Sequence, residues 1–142
     1  MGGKQGLEEL TESYARWRSR RLGQITDSLE RQLVFELLGP IGRKALLDVG
    51  CGDGAFALEL AQRGAVVTGL DIDPKMIAAA RQRAEAQSAR LRLVEGQMEM
   101  LPFGNSSFDV VLAVALLHDD AAQRAAARVA ICDDSNELAA LR

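Results

Sequence analysis

The sequence predicts an α/β domain of the Rossmann-like kind, a parallel sheet with helices on both faces. Three observations predict it. Short apolar runs of strand length alternate with helix-length stretches from Ala45 onward. The first of these runs enters a glycine-rich turn, Gly50-Cys51-Gly52-Asp53-Gly54, that opens a helix. The second ends on an acid, Asp71, about twenty residues further on. Alternation of this sort buries a sheet under crossover helices, and right-handed crossovers set successive strands side by side.

Taken in order, residues around Leu7 to Arg21 have a helical but polar, arginine-rich pattern. From about Ile25 to Leu38 the leucines Leu29, Leu33, Leu37 and Leu38 recur at helical spacing, and Gly39-Pro40 ends the stretch. Ala45 to Val49 is the first strand, Ala55 to Arg63 a helix closed by Gly64, and Val66 to Leu70 the second strand. Asp73-Pro74 supplies an N-cap followed by proline at the first helical position, and an alanine-rich helix runs on to about Ser88. Leu91 to Glu95 and Phe108 to Val114 are the third and fourth strands, and Ala121 to Ala130 has a helical pattern. The organisation expected is an N-terminal helical segment over 1–40, the sheet domain over 41–130 and a divergent tail over 131–142.

A chain of 142 residues, 48% apolar and 26% charged, is large enough for a real core. The net charge of -3 argues against a broad nucleic-acid surface. The two cysteines, Cys51 and Cys132, form neither a disulfide framework nor a metal cluster, so reduced thiols in a cytoplasmic protein are expected, with no metal. No apolar run reaches bilayer length and no signal peptide is visible, so no membrane partner is expected. Gly2 is compatible with myristoylation, but Gly6 stands where that motif takes Ser or Thr.

In parallel sheets ligands bind beyond the carboxyl ends of the strands, where the winding reverses. The glycine turn and Asp71 both lie at such ends and should converge there. Gly50, Gly52 and Gly54 permit a tight turn and close approach of backbone to ligand. An ordinary strand-to-helix turn without ligand is the plain alternative. Gly50, Gly52 and Ala55 also satisfy a loose dinucleotide fingerprint. The acids separate the candidates. A pyrophosphate here would face Asp53 and lie near Asp48, and two like charges about 4 Å apart cost about 4 kcal/mol at an effective dielectric of about 20. S-adenosylmethionine brings an ammonium and a sulfonium instead, and the same acids then attract. Asp71 is the expected ribose partner, each carboxylate hydrogen bond contributing about 1.5–3 kcal/mol. Its alternative is a helix cap, a role Asp73 fits better because Pro74 follows it.

The loop Glu95-Gly96-Gln97-Met98-Glu99-Met100-Leu101-Pro102-Phe103 leaves the third strand and would lie beside the adenine. Gln97 offers a side-chain oxygen to the amino group, and Met98 a backbone amide and a thioether to the ring. Leu101 and Phe103 are expected to plug the core.

With Leu47-Asp48-Val49-Gly50-Cys51-Gly52-Asp53-Gly54, Gly69-Leu70-Asp71-Ile72-Asp73-Pro74, Leu101-Pro102-Phe103 and Ser107-Phe108-Asp109-Val110-Val111 in this order, the chain resembles the class I S-adenosylmethionine-dependent methyltransferases. Within them it is similar to the small-molecule branch that includes ubiquinone and menaquinone biosynthesis enzymes. The resemblance covers about Tyr14 to Val129 and implies that Asp48, Gly50, Cys51, Gly52 and Gly54 surround the methionine part. It implies Asp71 and Ile72 at ribose and adenine, and Gln97 and Met98 at the base. Many members carry aspartate where Gln97 stands, so the acceptor is kept and the charge lost. Tyr14-Ala15-Arg16-Trp17 is similar to a lid segment, which implies Tyr14 and Trp17 as cofactor-covering residues, the alternative being a solvated amphipathic helix. Methyl transfer is a direct displacement needing alignment more than covalent machinery. His118, the single histidine, is the candidate base for a small-molecule acceptor, or else a helix-start residue without chemistry.

The resemblance also implies seven strands, of which only the first four are legible here. Ala130-Ile131-Cys132-Asp133-Asp134-Ser135-Asn136 shows neither the expected Pro-Gly-Gly turn nor a strand. The expectation is a C-terminally truncated version of a longer methyltransferase, a frameshift being one origin. Translating the downstream nucleotides in the other frames would show whether the turn and three strands are there. An open fourth-strand edge carrying Val110, Val111, Leu112 and Val114 would then favour a homodimer. Two other readings stand beside the enzyme: a non-catalytic cofactor-binding remnant or interaction module, and a dinucleotide-dependent oxidoreductase.

Overall fold

The computed structural model describes residues 16, 21–98, 100–104, 106–115 and 128–132. They fall into two compact units. The first contains α1 (Arg21–Leu38). This helix begins four residues before the expected Ile25. Its i, i+4 series Ile25, Leu29, Leu33 and Leu37 is exposed, while Val34 and Leu38 are buried. The helix is the one the spacing predicts, and its i, i+4 series drifts around the axis by about 40° per step.

The second unit, from Pro40, holds the sheet. Its elements are β1 (Ala45–Val49), α2 (Ala55–Gln62), β2 (Val66–Asp71), α3 (Pro74–Ala86), β3 (Arg92–Glu95), β4 (Val110–Ala115) and β5 (Arg128–Cys132). The strand order is β3-β2-β1-β4-β5. The first four strands are parallel, as expected. Chain order moves outward from β1 to β3 and then returns across β1 to β4, so the winding reverses between β1 and β4.

That reversal also decides which face each connection covers. Two right-handed crossovers in the same direction put α2 and α3 on one face, and the two helices pack on β2 and on each other. The return from β3 to β4 crosses the other face as irregular chain. There Leu47, Val49, Leu70, Phe108, Val111 and Ala113 form a core cluster, joined by Leu101 and Phe103 from the return segment. Phe103 meets Phe108 edge to face at 5.0 Å, and the Arg92 guanidinium lies 5.5 Å from the Phe103 ring. Among the described residues of this unit, the face opposite α2 and α3 is packed by these loop side chains.

Asp109 ties the amino ends of β1 and β4 together. Its Oδ2 accepts from the Ala45 amide at 2.7 Å, and its own amide donates to the Ala45 carbonyl at 2.8 Å. It lies at the end of the sheet opposite the glycine turn, so it holds strand register and is remote from any ligand at the carboxyl ends.

Two expectations are corrected at the far edge. Residues 128–130 form the start of a strand and not the end of a helix, and the segment expected to contain no strand contributes β5. β5 pairs antiparallel along β4, from Ala115↔Arg128 to Val111↔Cys132. The outer edge of β4 is thus covered within the chain. A homodimer formed by pairing free β4 edges has no such edge to use, because the β4 backbone donors and acceptors already face β5.

Candidate functional site

The site is built on the carboxyl ends of β1 and β2. β1 delivers Asp48 and Val49 directly into the turn at Gly50. The turn folds back over the end of β2: the Gly50 and Cys51 amides both donate to the Leu70 carbonyl, at 2.7 and 2.9 Å. The Gly52 amide donates to Asp71 Oδ2 at 2.8 Å, and the Asp73 amide to Asp71 Oδ1 at 2.9 Å. Asp71 therefore binds two loops through one oxygen each. Each carboxylate oxygen keeps a further lone pair for a ligand. Asp73 takes the capping role expected of it, accepting from the Lys75 amide at 2.8 Å ahead of Pro74.

Gly54 closes the turn as the N-cap of α2 with φ 75°. A Cβ built there would lie 2.8 Å from the Ala80 Cβ and 3.2 Å from the Ala80 Cα. Only glycine satisfies both the left-handed backbone and the approach of α3. At Gly50 and Gly52, by contrast, a Cβ would meet nothing within 4 Å. The turn is packed on its α3 side at Gly54 and open at Gly50 and Gly52.

Asp48 is buried, 3% exposed, and stands in register with Gly69. Burial, and after it the charge of Asp71, push its carboxyl up from 3.8 to about 7. The Cys51 thiol fills the space over Gly69, its sulfur 2.9 Å from where a Cβ would be. Burial first, then the Asp48 and Asp71 charges, raise its pKa, so it stays a neutral packing thiol.

A stability prediction follows from Asp48. The unfolded chain loses this proton near the ordinary value of 3.8 and the folded chain near 7. Between those values the folded state holds the extra proton, so stability falls as pH rises and levels off above about 7. Urea unfolding of the wild type, compared with Asp48→Asn at each pH, should show this slope. Roughly 2 kcal/mol separates the two differences at pH 5 and pH 7. Parallel curves for the two proteins would place Asp48 in solvent.

Asp53 differs from expectation. Its carboxylate faces a cation already in place: Arg83 Nη2 lies 2.6 Å from Asp53 Oδ2, and Arg83 Nε donates to the Asp53 carbonyl at 3.0 Å. Asp53 Oδ1 accepts from the Ala55 amide at 3.2 Å. The free acidity of the turn therefore rests on Asp48 and Asp71, not on Asp48 and Asp53. Sequence reasoning missed Arg83 altogether. Its signal was weak: a basic residue three positions after Ala80, hence on the same side of α3 that meets the turn.

Ile72, at the end of β2, is 51% exposed, and Met98 in the loop after β3 is 44% exposed. Gln97 is exposed beside it. The loop is tied to the same strand end, the Gly96 amide donating to the Asp71 carbonyl at 3.0 Å. Leu101 and Phe103 pack on the core as expected. Thus Asp48, Gly50, Cys51, Gly52, Gly54, Asp71, Ile72, Gln97 and Met98 all lie on one end of the sheet. Tyr14, Trp17 and His118 lie outside the described residues. No group of three metal-ligating side chains occurs among the described residues, and no described helix is long and apolar enough to cross a membrane.

The methyltransferase domain family matches residues 46–132, from β1 through β5. The chain belongs to that family. A demethylmenaquinone methyltransferase of Tropheryma whipplei (strain Twist) is 38% identical over 99 residues, covering 69% of this chain and 40% of that protein. The crystal structure of an S-adenosylmethionine-dependent methyltransferase from Mesorhizobium loti is similar with a TM-score of 0.53 and 28% identity, over 66% of this chain and 43% of that one. The PH0226 protein of Pyrococcus horikoshii OT3 is similar with a TM-score of 0.58 and 28% identity, over 73% of this chain and 48% of that one. The chain spans about 40% of the length of the curated relatives it matches first.

S-adenosylmethionine is the cofactor of this methyltransferase class, and the residues present fit it. The turn is open above Gly50 and Gly52. The buried acid Asp48, with its raised pKa, is stabilised in its ionised form by any cation brought near it. Asp71 retains acceptor capacity, and Ile72 and Met98 offer exposed apolar surface to a purine.

Proposed function

We propose that this chain carries the S-adenosylmethionine site of an enzyme that methylates a small-molecule acceptor. The observation that carries the reading is the hydrogen-bonded junction of Gly52 and Asp71, which brings an open glycine turn and a carboxylate onto one crevice beside a buried acid. S-adenosylmethionine, when bound, supplies an electrophilic methyl group on a sulfonium.

Asp71 accepts from the ribose hydroxyls while holding Gly52 and Asp73. Asp48 faces the positive charge of the methionine part, and Gly50, Cys51, Gly52 and Gly54 line that part with backbone. Ile72 and Met98 sandwich the adenine edge, and Gln97 accepts from its amino group. The acids make a dinucleotide pyrophosphate a poor occupant, since Asp48 and Asp71 both repel it. The small-molecule acceptor is supported by the likeness to the demethylmenaquinone methyltransferase, which makes demethylmenaquinone the first acceptor to assay. Tyr14 and Trp17 as cover residues and His118 as base belong to the same proposal.

The test is calorimetric titration of the chain with S-adenosylhomocysteine and with NAD, followed by transfer of a labelled methyl group to candidate acceptors. Binding of the homocysteine compound alone, with transfer, is the expected result. Binding without transfer to any acceptor makes the chain a non-catalytic cofactor module. Preferential binding of NAD overturns the proposal.

A further inference from the structure

The glycine turn is held from two directions. From the sheet side, Asp71 and the Leu70 carbonyl take the amides of Gly50, Cys51 and Gly52. From the other side the holder is α3, which sets Ala80 against Gly54 and, one helical turn along the same side, Arg83 against Asp53. Arg83 uses two nitrogens on two different acceptors of one residue, Nε on the backbone carbonyl at 3.0 Å and Nη2 on the carboxylate at 2.6 Å. A fork on backbone and side chain together fixes both the position of the peptide and the rotamer of the acid. Asp53 Oδ1 in turn holds the Ala55 amide at the start of α2.

We infer that Arg83 is a positioning residue for the cofactor site: it clamps the Asp53 carbonyl and carboxylate together so that the turn keeps its ligand-ready shape, and it offsets the charge of that acid beside the pocket. The inference rests on the cofactor reading above and deepens it. Arg83 touches no reacting atom in this arrangement. Its effect passes through Asp53 to the amides of Gly52 and Gly54.

The pair is partly open to solvent, with side-chain exposures of 40% for Arg83 and 30% for Asp53. Pairs of that exposure contribute little to global stability. The expected signature is therefore a loss of ligand affinity with a nearly unchanged melting temperature, which a merely structural ion pair would not give.

The experiment compares wild type, Arg83→Met and Arg83→Lys by two readouts. Amide hydrogen exchange of the free protein is expected to speed up at Gly52, Gly54 and Ala55 in Arg83→Met. Affinity for S-adenosylhomocysteine is expected to fall about tenfold in that variant, the size of one charge-assisted hydrogen bond. Arg83→Lys, which keeps the charge and loses the fork, should recover only part of each effect. Adding Asp53→Asn to Arg83→Met should cost less than either change predicts alone, because the two act through one contact. Unchanged exchange and unchanged affinity in Arg83→Met overturn the inference, as does a large drop in melting temperature with affinity intact. If the wild type binds no S-adenosylhomocysteine, the cofactor reading fails, and the exchange readout alone decides whether Arg83 holds the turn.

Discussion

Gly54→Ala is expected to destabilise the domain by several kcal/mol and to abolish cofactor binding. Two independent costs meet at this position. The backbone has φ 75°, in the left-handed region where a Cβ costs about 1–2 kcal/mol. The new Cβ would also stand 2.8 Å from the Ala80 Cβ and 3.2 Å from its Cα. The methyl can recede only if α3 moves, and overpacking of this sort costs about 1–3 kcal/mol. Moving α3 would carry Arg83 away from Asp53 and unseat the turn. Urea denaturation measures the first effect and titration with S-adenosylhomocysteine the second. The two costs separate in the double variant Gly54→Ala with Ala80→Gly, which removes the Cβ contact and leaves the backbone strain. It should regain part of the packing share, since the 3.2 Å approach to the Cα of residue 80 remains, less about 1 kcal/mol for glycine inside a helix. A single Gly54→Ala variant as stable as wild type would mean that α3 does not approach the turn as described.

Asp71→Ala is expected to weaken binding of S-adenosylhomocysteine by about tenfold to a hundredfold, the worth of one or two hydrogen bonds to a carboxylate. The loss has two sources, the ribose contacts and the anchoring of the Gly52 and Asp73 amides at 2.8 and 2.9 Å. Asp71→Asn separates them in part, since it keeps one acceptor oxygen and removes the charge. The charge has a second readout. Asp71 is the lesser of the two causes that raise Asp48 to about 7, burial being the greater. Removing it should shift the Asp48 titration to lower pH without returning it to the ordinary value. Ligand affinity in the wild type should rise as pH approaches 7 and Asp48 ionises, and the same rise should begin earlier in Asp71→Asn. Equal affinity in wild type and Asp71→Ala would take Asp71 out of the site.

Much of this was legible in the sequence. The first two strands, the turn between them and the helix after Pro74 follow from local rules: an apolar run, glycines, an N-cap before proline. These features are written over a few neighbouring residues, and local chemistry decides them. The assembly of Asp48, the glycines and Asp71 on one sheet end was legible for a related reason, because a right-handed β-α-β unit has a single way to place its strand ends.

What the sequence determined by itself, then, was the Rossmann-like unit, its family and the convergence of the glycine turn and Asp71 on one end of the sheet. Tertiary structure alone decided the rest. It gave Asp53 to Arg83, a partner thirty positions away, and so moved the free acidity of the turn to Asp48 and Asp71. It laid β5 antiparallel on β4 where an open edge was expected. Each of these depends on contacts between segments far apart in the chain. Spacing encodes which side chains share a strand end or a helix face; which distant segment meets that face is set by packing, burial and charge in three dimensions.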